Sequence, residues 1–451
     1  MAEAGIEHGD GMAPNYELRI EGLSLSEGVT QFIERVEYES ADGLVDMMKV
    51  SVMNPDFHMS ERKLFLPGNE MALWIGYGPD LSFVGRAEIV KVRTTFPPDG
   101  MPGLSITGYT KDHRMAERRP DPGPDEEEMK ALDADITKLE ALKARNVQDA
   151  SSATAKAKTK EEKKQIADRL EGVQKALNAK ITELKTKKKV RTQAKAVWNG
   201  FTVEEVVTAV AANYGFQTDV DEAPELDGNF YQPHEMSDFD FVAGLSNLVG
   251  FFFWVDGDED GKWWLHFKSP ANVGQAVQDK IYTFKYNSGD STTLLTFAPE
   301  MLLKNYFTKV VAVLTLPNGK VVKKEFVETK ASEWATKPNV ESELAEDILG
   351  TAASIKLFLN DFSITIPAVD GIRNEAALEW WVDSWIKRHR QEFMTGKGMV
   401  VGLESLRARQ SHKIQNIGKI YDGSWFFSRV RHVFDSEGGY GCEFDARKEI
   451  L

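Results

Sequence analysis

Hydrophobic and polar positions alternate through most of the first stretch of about 115 residues. YELRIEG, FIERVEYES, LVDMMKVSVMNP, MALWIGYG, SFVGRAEIVKVRTTF and LSITGYT are separated by turns rich in Gly, Pro and Asp. A period of two is that of a strand with one buried face. Short strands at this spacing predict a small antiparallel barrel or sandwich. The breaker-rich RPDPGPDEEE closes the pattern. From about Met129 to Lys195, Ala, Lys, Glu and Leu dominate and aromatics nearly vanish. Ile166, Leu170, Val173, Leu177, Ile181 and Leu184 recur at threes and fours. Leu132, Ile136, Leu139 and Leu142 do much the same before them. DASSATAKAKTK, between the two runs, has no apolar stripe. The pattern predicts two helices folded back as an antiparallel hairpin with a thin, Ala-rich seam. One long solvated helix, or partial disorder, is the alternative.

Two capped helices come next. In VWNGFTVEEVVTAVAANYGFQ, Thr202 and Glu205 have the spacing of a capping box, and Gly215 suits the helix end. Ser237 or Asp238 caps the second helix, Phe241, Leu245 and Leu248 line one face, and Gly250 stops it. Strands over 251–255 and 262–267 then flank an acidic turn. Strands resume after Pro270 in DKIYTFKYN, STTLLTFAP and NYFTKVVAVLTLPNGKVVKKEF, whose PNGK is a hairpin signal. RNEAALEWWVDSWIKRHRQEF reads as one long amphipathic helix. GMVVGLESL, HKIQNIGKIY, DGSWFFSRVRHVFD and YGCEFDARKE return the chain to strands.

Composition narrows the class. The 451 residues suffice for two to four domains, and 42% hydrophobic with 28% charged residues is ordinary for a soluble globular protein. No apolar run approaches the ~18 residues of a membrane span, so no transmembrane helix is expected. The N-terminus lacks the basic-then-apolar order of a secretory signal. Cys442 is the only cysteine, which rules out an intramolecular disulfide and cysteine-rich zinc sites and suits assembly in a reducing cytoplasm. A net charge of −15 argues against broad nucleic-acid binding.

Candidate chemistry is sparse. Asp256-Gly257-Asp258-Glu259-Asp260-Gly261 begins like a calcium-binding EF-hand loop, with acids at positions one, three and five and Gly at six. Position twelve, where a bidentate Glu is needed, is Phe267. A hairpin turn between aromatic strands is the competing reading. The eight histidines show no metal spacing; among them His8, His113, His234, His266, His412 and His432 are isolated, and His389 with Glu392 sits on a charged helix face. No nucleophile elbow, phosphate loop or dinucleotide fingerprint occurs. No catalytic, cofactor-binding or metal-ligating residue is therefore singled out, although paired carboxylates for glycoside cleavage stay open. The clustered Trp263, Trp264, Trp380, Trp381, Trp385 and Trp425 read as core or as subunit interface.

Three stretches together resemble one family. They are Trp198-Asn199-Gly200-Phe201-Thr202 through Val206, Val207 and Ala211 to Tyr214-Gly215-Phe216; Ser237-Asp238-Phe239-Asp240-Phe241 through Leu245 and Gly250 to Phe253, Val255 and Asp256; and EFMTGKGMVVGLESL followed by Asp422-Gly423-Ser424-Trp425 through Val430 and His432 to Gly438-Gly439-Tyr440. In this order they resemble the late control protein D family, the baseplate or tail hubs of contractile-tailed bacteriophages. The same hub fold forms the N-terminal part of type VI secretion VgrG spikes. The resemblance implies an α+β, mainly β chain of two small antiparallel β-barrels of hub type with an α/β part between them. It implies a homotrimer whose six barrels form a pseudo-sixfold ring between a sixfold tail tube and a threefold central spike. The expected divisions are 1–118 (first barrel), 119–197 (inserted helical hairpin), 198–290 (α/β part) and 291–451 (second barrel with the long helix). The expected place is the virion tail baseplate, assembled in the host cytoplasm. The partners implied are the tube protein, the spike and other baseplate proteins, the last through the insertion, with no membrane and no specific nucleic acid.

Two departures stand out. About 80 residues, 119–197, intervene where relatives run on directly. Arg409-Gln410-Ser411 also stand where relatives often carry glycine before HKIQNIG. The chain stops soon after the hub's last strand, so a spike or lysozyme domain is expected on another polypeptide. The hub of a secretion or toxin-delivery device and a tail-borne cell-wall hydrolase are the rival readings.

Overall fold

The six alternating segments become strands β1 (Pro14–Ile20), β2 (Ile33–Ala41), β3 (Met47–Met53), β4 (Glu70–Tyr77), β5 (Asp80–Thr95) and β6 (Gly103–Tyr109). The computed structural model describes residues 3–4, 13–118, 126–193, 197–224, 226, 229–233, 235–277, 280–289, 292–302, 309–315, 321–327, 363–367, 375–392, 394–418, 420–436 and 439–448. The strands pair antiparallel in the order β2-β3-β6-β5-β4-β1. In β3 the period of two is literal: Met48, Val50 and Val52 are buried and the residues between them half-buried. The sheet curls around a single core built from these and residues such as Leu18, Val36, Leu73 and Ile106. Burying one such side chain stabilises the fold by roughly 1.5–3 kcal/mol. Gly85 of β5 is dictated by close approach, since a Cβ there would lie 2.2 Å from Cζ of Tyr38. Helix α1 (Asp112–Glu117) follows β6.

Residues 118–201 and 229–238 form a compact unit of their own. Its helices α2 (Glu126–Lys156) and α3 (Lys160–Gln193) form the expected hairpin. Glu162 restarts the chain at the tip by accepting from the amides of Lys158 and Thr159, at 2.9 and 3.2 Å. The seam is thin. Among the described residues of the two helices only Leu132, Ile136 and Ile181 are buried, while Leu142, Val147 and Val173 are exposed. Lys185–Glu140 at 2.8 Å and Lys188–Asp133 pair across the antiparallel helices. Exposed pairs of this kind contribute about 0–1 kcal/mol each and orient more than they stabilise. The short strands Val197–Asn199 and Asn229–Tyr231 pair antiparallel in the same unit.

The rest of the chain belongs to the unit of the first sheet. Helix α4 (Val203–Ala212) starts with the full capping box, Glu205 N–H donating to Thr202 Oγ1 and Thr202 N–H to Glu205 Oε2. Beyond it Gly215 takes a φ of 71°, the left-handed turn that glycine adopts without strain. Strand β7 (Gln217–Val220), helix α5 (Asp238–Val249) and strands β8 (Phe252–Gly257) and β9 (Trp263–Lys268) follow. The sheet order is β7-β9-β8, with β7 parallel and β8 antiparallel to β9. Phe241, Leu245 and Leu248 are buried, as their spacing requires.

After α6 (Pro270–Val277) come β10 (Ile281–Lys285) and β11 (Leu294–Met301). Strands β12 (Lys309–Thr315), β13 (Val321–Val327) and β14 (Ser363–Pro367) form a small sheet in the order β13-β12-β14; the PNGK turn lies outside the described residues. In α7 (Glu375–Gln391) Leu378, Trp381 and Val382 are buried. Trp380 stays 45% exposed, its Nε1 donating to the carbonyl of Val249 at 2.7 Å. Strands β15 (Met394–Val401), β16 (Gln410–Gln415), β17 (Gly423–Asp435) and β18 (Gly439–Lys448) complete a second curled sheet, in the order β10-β16-β17-β18-β15-β11. A single bridge, Tyr286 to Leu294, brings its last strand back to its first. Phe284, Trp425, Phe427 and Phe444 fill this core, with Phe427 stacked on Phe444 at 4.3 Å. The architecture is thus mainly β with helices, as expected. The 13-residue β17 serves both sheets: its residues 429–435 pair with β18 and also with residues 35–41 of β2.

Candidate functional site: the junction of the two sheets

Alternation along β2, β17 and β18 places charged side chains in rows on one face of the shared seam. Arg429 reaches Glu39 at 2.9 Å and Asp445 at 3.1 Å. Arg431 pairs with Glu443 and lies 3.8 Å from Glu37, and Arg35 pairs with Glu37 and lies 3.5 Å from Asp435. Such cross-strand pairs contribute little singly, but a one-residue slip would turn the charged rows to the opposite face and break every pair, so they hold the register.

The connection from β15 to β16, residues 402–409, stitches the sheets a second time. Tyr77 donates to the carbonyl of Gly402 at 3.0 Å, Arg407 to that of Phe83 at 2.9 Å and Arg409 to that of Ala41 at 2.6 Å. The amide of Ala408 donates to Ser40 Oγ at 3.0 Å. Arg409 adopts a φ of 68°, the left-handed region that costs a residue with a side chain about 1–2 kcal/mol. The guanidinium compensates: only 2% exposed, it sits 3.5 Å from Asp46 Oδ1 and 4.9 Å from the ring centre of Trp254 in β8. Asp46 also accepts from the amide of Ala41 at 3.1 Å. Burial pushes the Asp46 carboxyl up to about 6, with Arg409 offsetting part of the shift. Behind it Asp112, 1% exposed, lies 2.7 Å from Thr110 Oγ1, and burial pushes its carboxyl up to about 8.

The acidic turn is a β-hairpin turn between β8 and β9, and its carboxylates are engaged within the protein. Asp256 accepts from Trp254 Nε1 at 3.0 Å and lies 3.2 Å from His266 Nε2. Asp258 accepts from Trp264 Nε1 at 2.9 Å and from the amide of Lys262 at 2.8 Å. Glu259 accepts from Trp74 Nε1 of β4 at 3.1 Å. Arg86 of β5 donates to the carbonyls of Asp258 and Glu259 at 3.3 and 3.2 Å. The acids thus anchor a hairpin to the first sheet rather than converging on one point. Among the described residues no group of three or more His, Cys, Asp or Glu is placed to hold a metal.

The histidines divide by environment. His412 and His432 are fully buried, and burial pulls both down to about 3, so they stay neutral. His432 has its Nε2 2.7 Å from the carbonyl of Leu406 and its Nδ1 2.8 Å from Tyr440 Oη and 3.5 Å from Cys442 Sγ. Burial pushes that thiol up to about 11, so a Cys–His pair that resembles a catalytic dyad on paper holds neither a thiolate nor an imidazolium. His266 is different. Burial pulls it down, but Asp256 and Asp219 outweigh that and hold it above its ordinary value. His113 accompanies Thr110 and Glu88, while His8, His234 and the side chain of His389 lie outside the described residues. No pattern in the sequence announced the Asp46–Arg409 pair.

This arrangement, two curled sheets sharing one strand with an α/β part between them in the sequence, is similar to the fold of two phage tail proteins. A tail protein from Neisseria meningitidis MC58 matches at a TM-score of 0.58 and 13% identity, over 97% of this chain and 97% of that one. The 43 kDa tail protein of prophage MuSo2 from Shewanella oneidensis matches at 0.57 and 9% identity, over 96% of this chain and 98% of that one. No protein-family model and no curated protein matches the sequence.

Proposed function

We propose that this chain is a structural hub of a contractile phage tail baseplate, without catalysis of its own. Three copies form a ring that meets the sixfold tail tube on one face and a threefold spike on the other. The observation that carries the reading is β17. It fuses two curled sheets of one chain into a continuous body, so three chains supply six similar modules. The shared fold of two tail proteins supports the setting. We further read the chain as a first barrel over 1–118, an insertion over 119–197, an α/β part over 198–290 and a second barrel over 291–451. The insertion, with its thin seam and its run of Lys185, Lys187, Lys188, Lys189 and Arg191, docks on a neighbouring baseplate component. The test is to disrupt the gene in the producing strain and image the particles. Tails lacking an organised baseplate are expected; normal, infective tails would overturn the reading. A peptidoglycan zymogram of the purified chain should show no clearing, and clearing would favour a hydrolase.

A further inference from the structure

The helical hairpin changes character along its length. At the root its seam is closed: Leu132, Ile136 and Ile181 are buried, and lysines of α3 meet acids of α2, Lys188 with Asp133 and Lys185 with Glu140 at 2.8 Å. Towards the tip neither feature continues. Ile166 and Leu170 of α3 are only half-buried, because α2 sets the small Ala150, Ser151, Thr154 and Ala155 against them. With Lys163 these residues line an open groove of about 560 Å³. The groove is apolar in effect. Ser151 Oγ and Thr154 Oγ1 donate back to the carbonyls of Val147 and Ala150, at 2.8 and 2.7 Å, so their protons are used inside α2. Val147, four residues before Ser151 and on the same face, is 39% exposed and extends the apolar floor. The seam thus has room for side chains that neither helix supplies.

The charge of the tip is incomplete in the same place. Residues 150–170 carry six Lys and Arg against three Asp and Glu. Of those acids, Glu162 is taken up by the amides of Lys158 and Thr159. Lys160, Lys163 and Lys164 stand together at the start of α3, and among the described residues none of them forms an ion pair. At the root each such lysine has an acid across the seam, whereas residues 150–158 contain no acid at all.

Missing bulk and missing negative charge are complementary to one kind of occupant. We propose that the tip groove receives an acidic amphipathic helix of a neighbouring protein, completing a three-helix bundle. Its apolar stripe covers Val147, Ile166 and Leu170, and its carboxylates meet Lys160, Lys163 and Lys164. The hairpin tip of a second copy does not fit, since it brings the same excess of positive charge to the groove. The inference rests on the docking role given to the insertion above and names the chemistry of the partner.

The test uses the intact protein and a fluorescein-labelled peptide of about three heptads, with Leu at a and d and Glu and Ala elsewhere. Fluorescence anisotropy should show saturable binding that weakens as salt rises from about 50 to about 500 mM. An isomer of the same composition with its leucines scattered needs no protein variant, and it should bind at least about tenfold more weakly, the effect of leaving roughly two methylene groups unburied. Two variants probe the groove itself. Ala150→Leu with Ala155→Leu fills it, and Lys160→Glu with Lys163→Glu and Lys164→Glu reverses its charge. Each should weaken binding about tenfold or more while far-ultraviolet circular dichroism keeps its helix signal. No saturable binding below about 1 mM, equal binding of the two peptides, or binding untouched by filling the groove overturns the proposal. So does a self-association of the wild type in sedimentation velocity that the filled groove abolishes, since it gives the groove to a second copy. Peptide binding alongside normal tails in the disrupted strain would strike the hub assignment and leave the groove standing, and the reverse pair of results would strike the groove alone.

Discussion

Replacing Arg86 with methionine tests whether the acidic turn is architecture. Arg86 is 9% exposed, and its guanidinium holds two turn carbonyls, those of Asp258 and Glu259, and the carboxylate of Glu70 at 3.3 Å. A hydrogen bond from a charged donor contributes about 1.5–3 kcal/mol. Both carbonyl bonds are long, and Glu259 is exposed enough for water to replace its donor. Glu70 keeps Lys111 at 2.5 Å and Trp263 Nε1 at 3.4 Å, so little is lost there. Methionine retains most of the apolar stem that lies over Gly257. One full charged bond and a weakened second give an expected loss of about 2–3 kcal/mol. Urea unfolding followed by tryptophan fluorescence measures it, and the native spectrum should also shift because Trp74, Trp254 and Trp264 bond to this turn. A loss below about 0.5 kcal/mol with an unchanged spectrum would refute the clamp, since that is the range of an ordinary surface substitution.

Three further outcomes are expected. Because His266 is held above its ordinary value, its contribution is complete below about pH 6.5 and disappears as pH rises through its raised folded value; His266→Gln should flatten that part of the stability–pH curve, and a curve identical to wild type would contradict it. Gly85→Ala forces a methyl into the ring of Tyr38 and should cost at least ~1–3 kcal/mol in urea unfolding, a neutral result showing that β2 and β5 can separate there. Replacing residues 119–197 with a short Gly/Ser linker should leave the sheets folded by near-ultraviolet circular dichroism, and loss of that signal would place the helices in the core.

What was legible in the sequence was local. The period of two in β3, the Thr202–Glu205 box and the threes and fours of Ile166 to Leu184 are decided within a few residues, where steric and hydrogen-bonding rules act directly. The hairpin reading of Asp256–Gly261 rested on Phe267 at the twelfth position, and Phe267 is fully buried in β9. What was not legible is long-range. Arg429 meets Glu39 across 390 positions and Arg409 meets Asp46 across 363. Nothing periodic links such residues, because register between distant strands is settled by the whole core. The same holds for Arg86, one arginine among many until the hairpin carbonyls arrive over it. The tryptophans divide along this line: Trp381 and Trp425 went to the core that their apolar neighbours indicated, while the exposed Trp380 followed a carbonyl 131 positions away.

The most direct test of the central claim is stoichiometry. Native mass spectrometry of this chain assembled with its spike partner should give three copies per complex. One, two or six copies would contradict the ring.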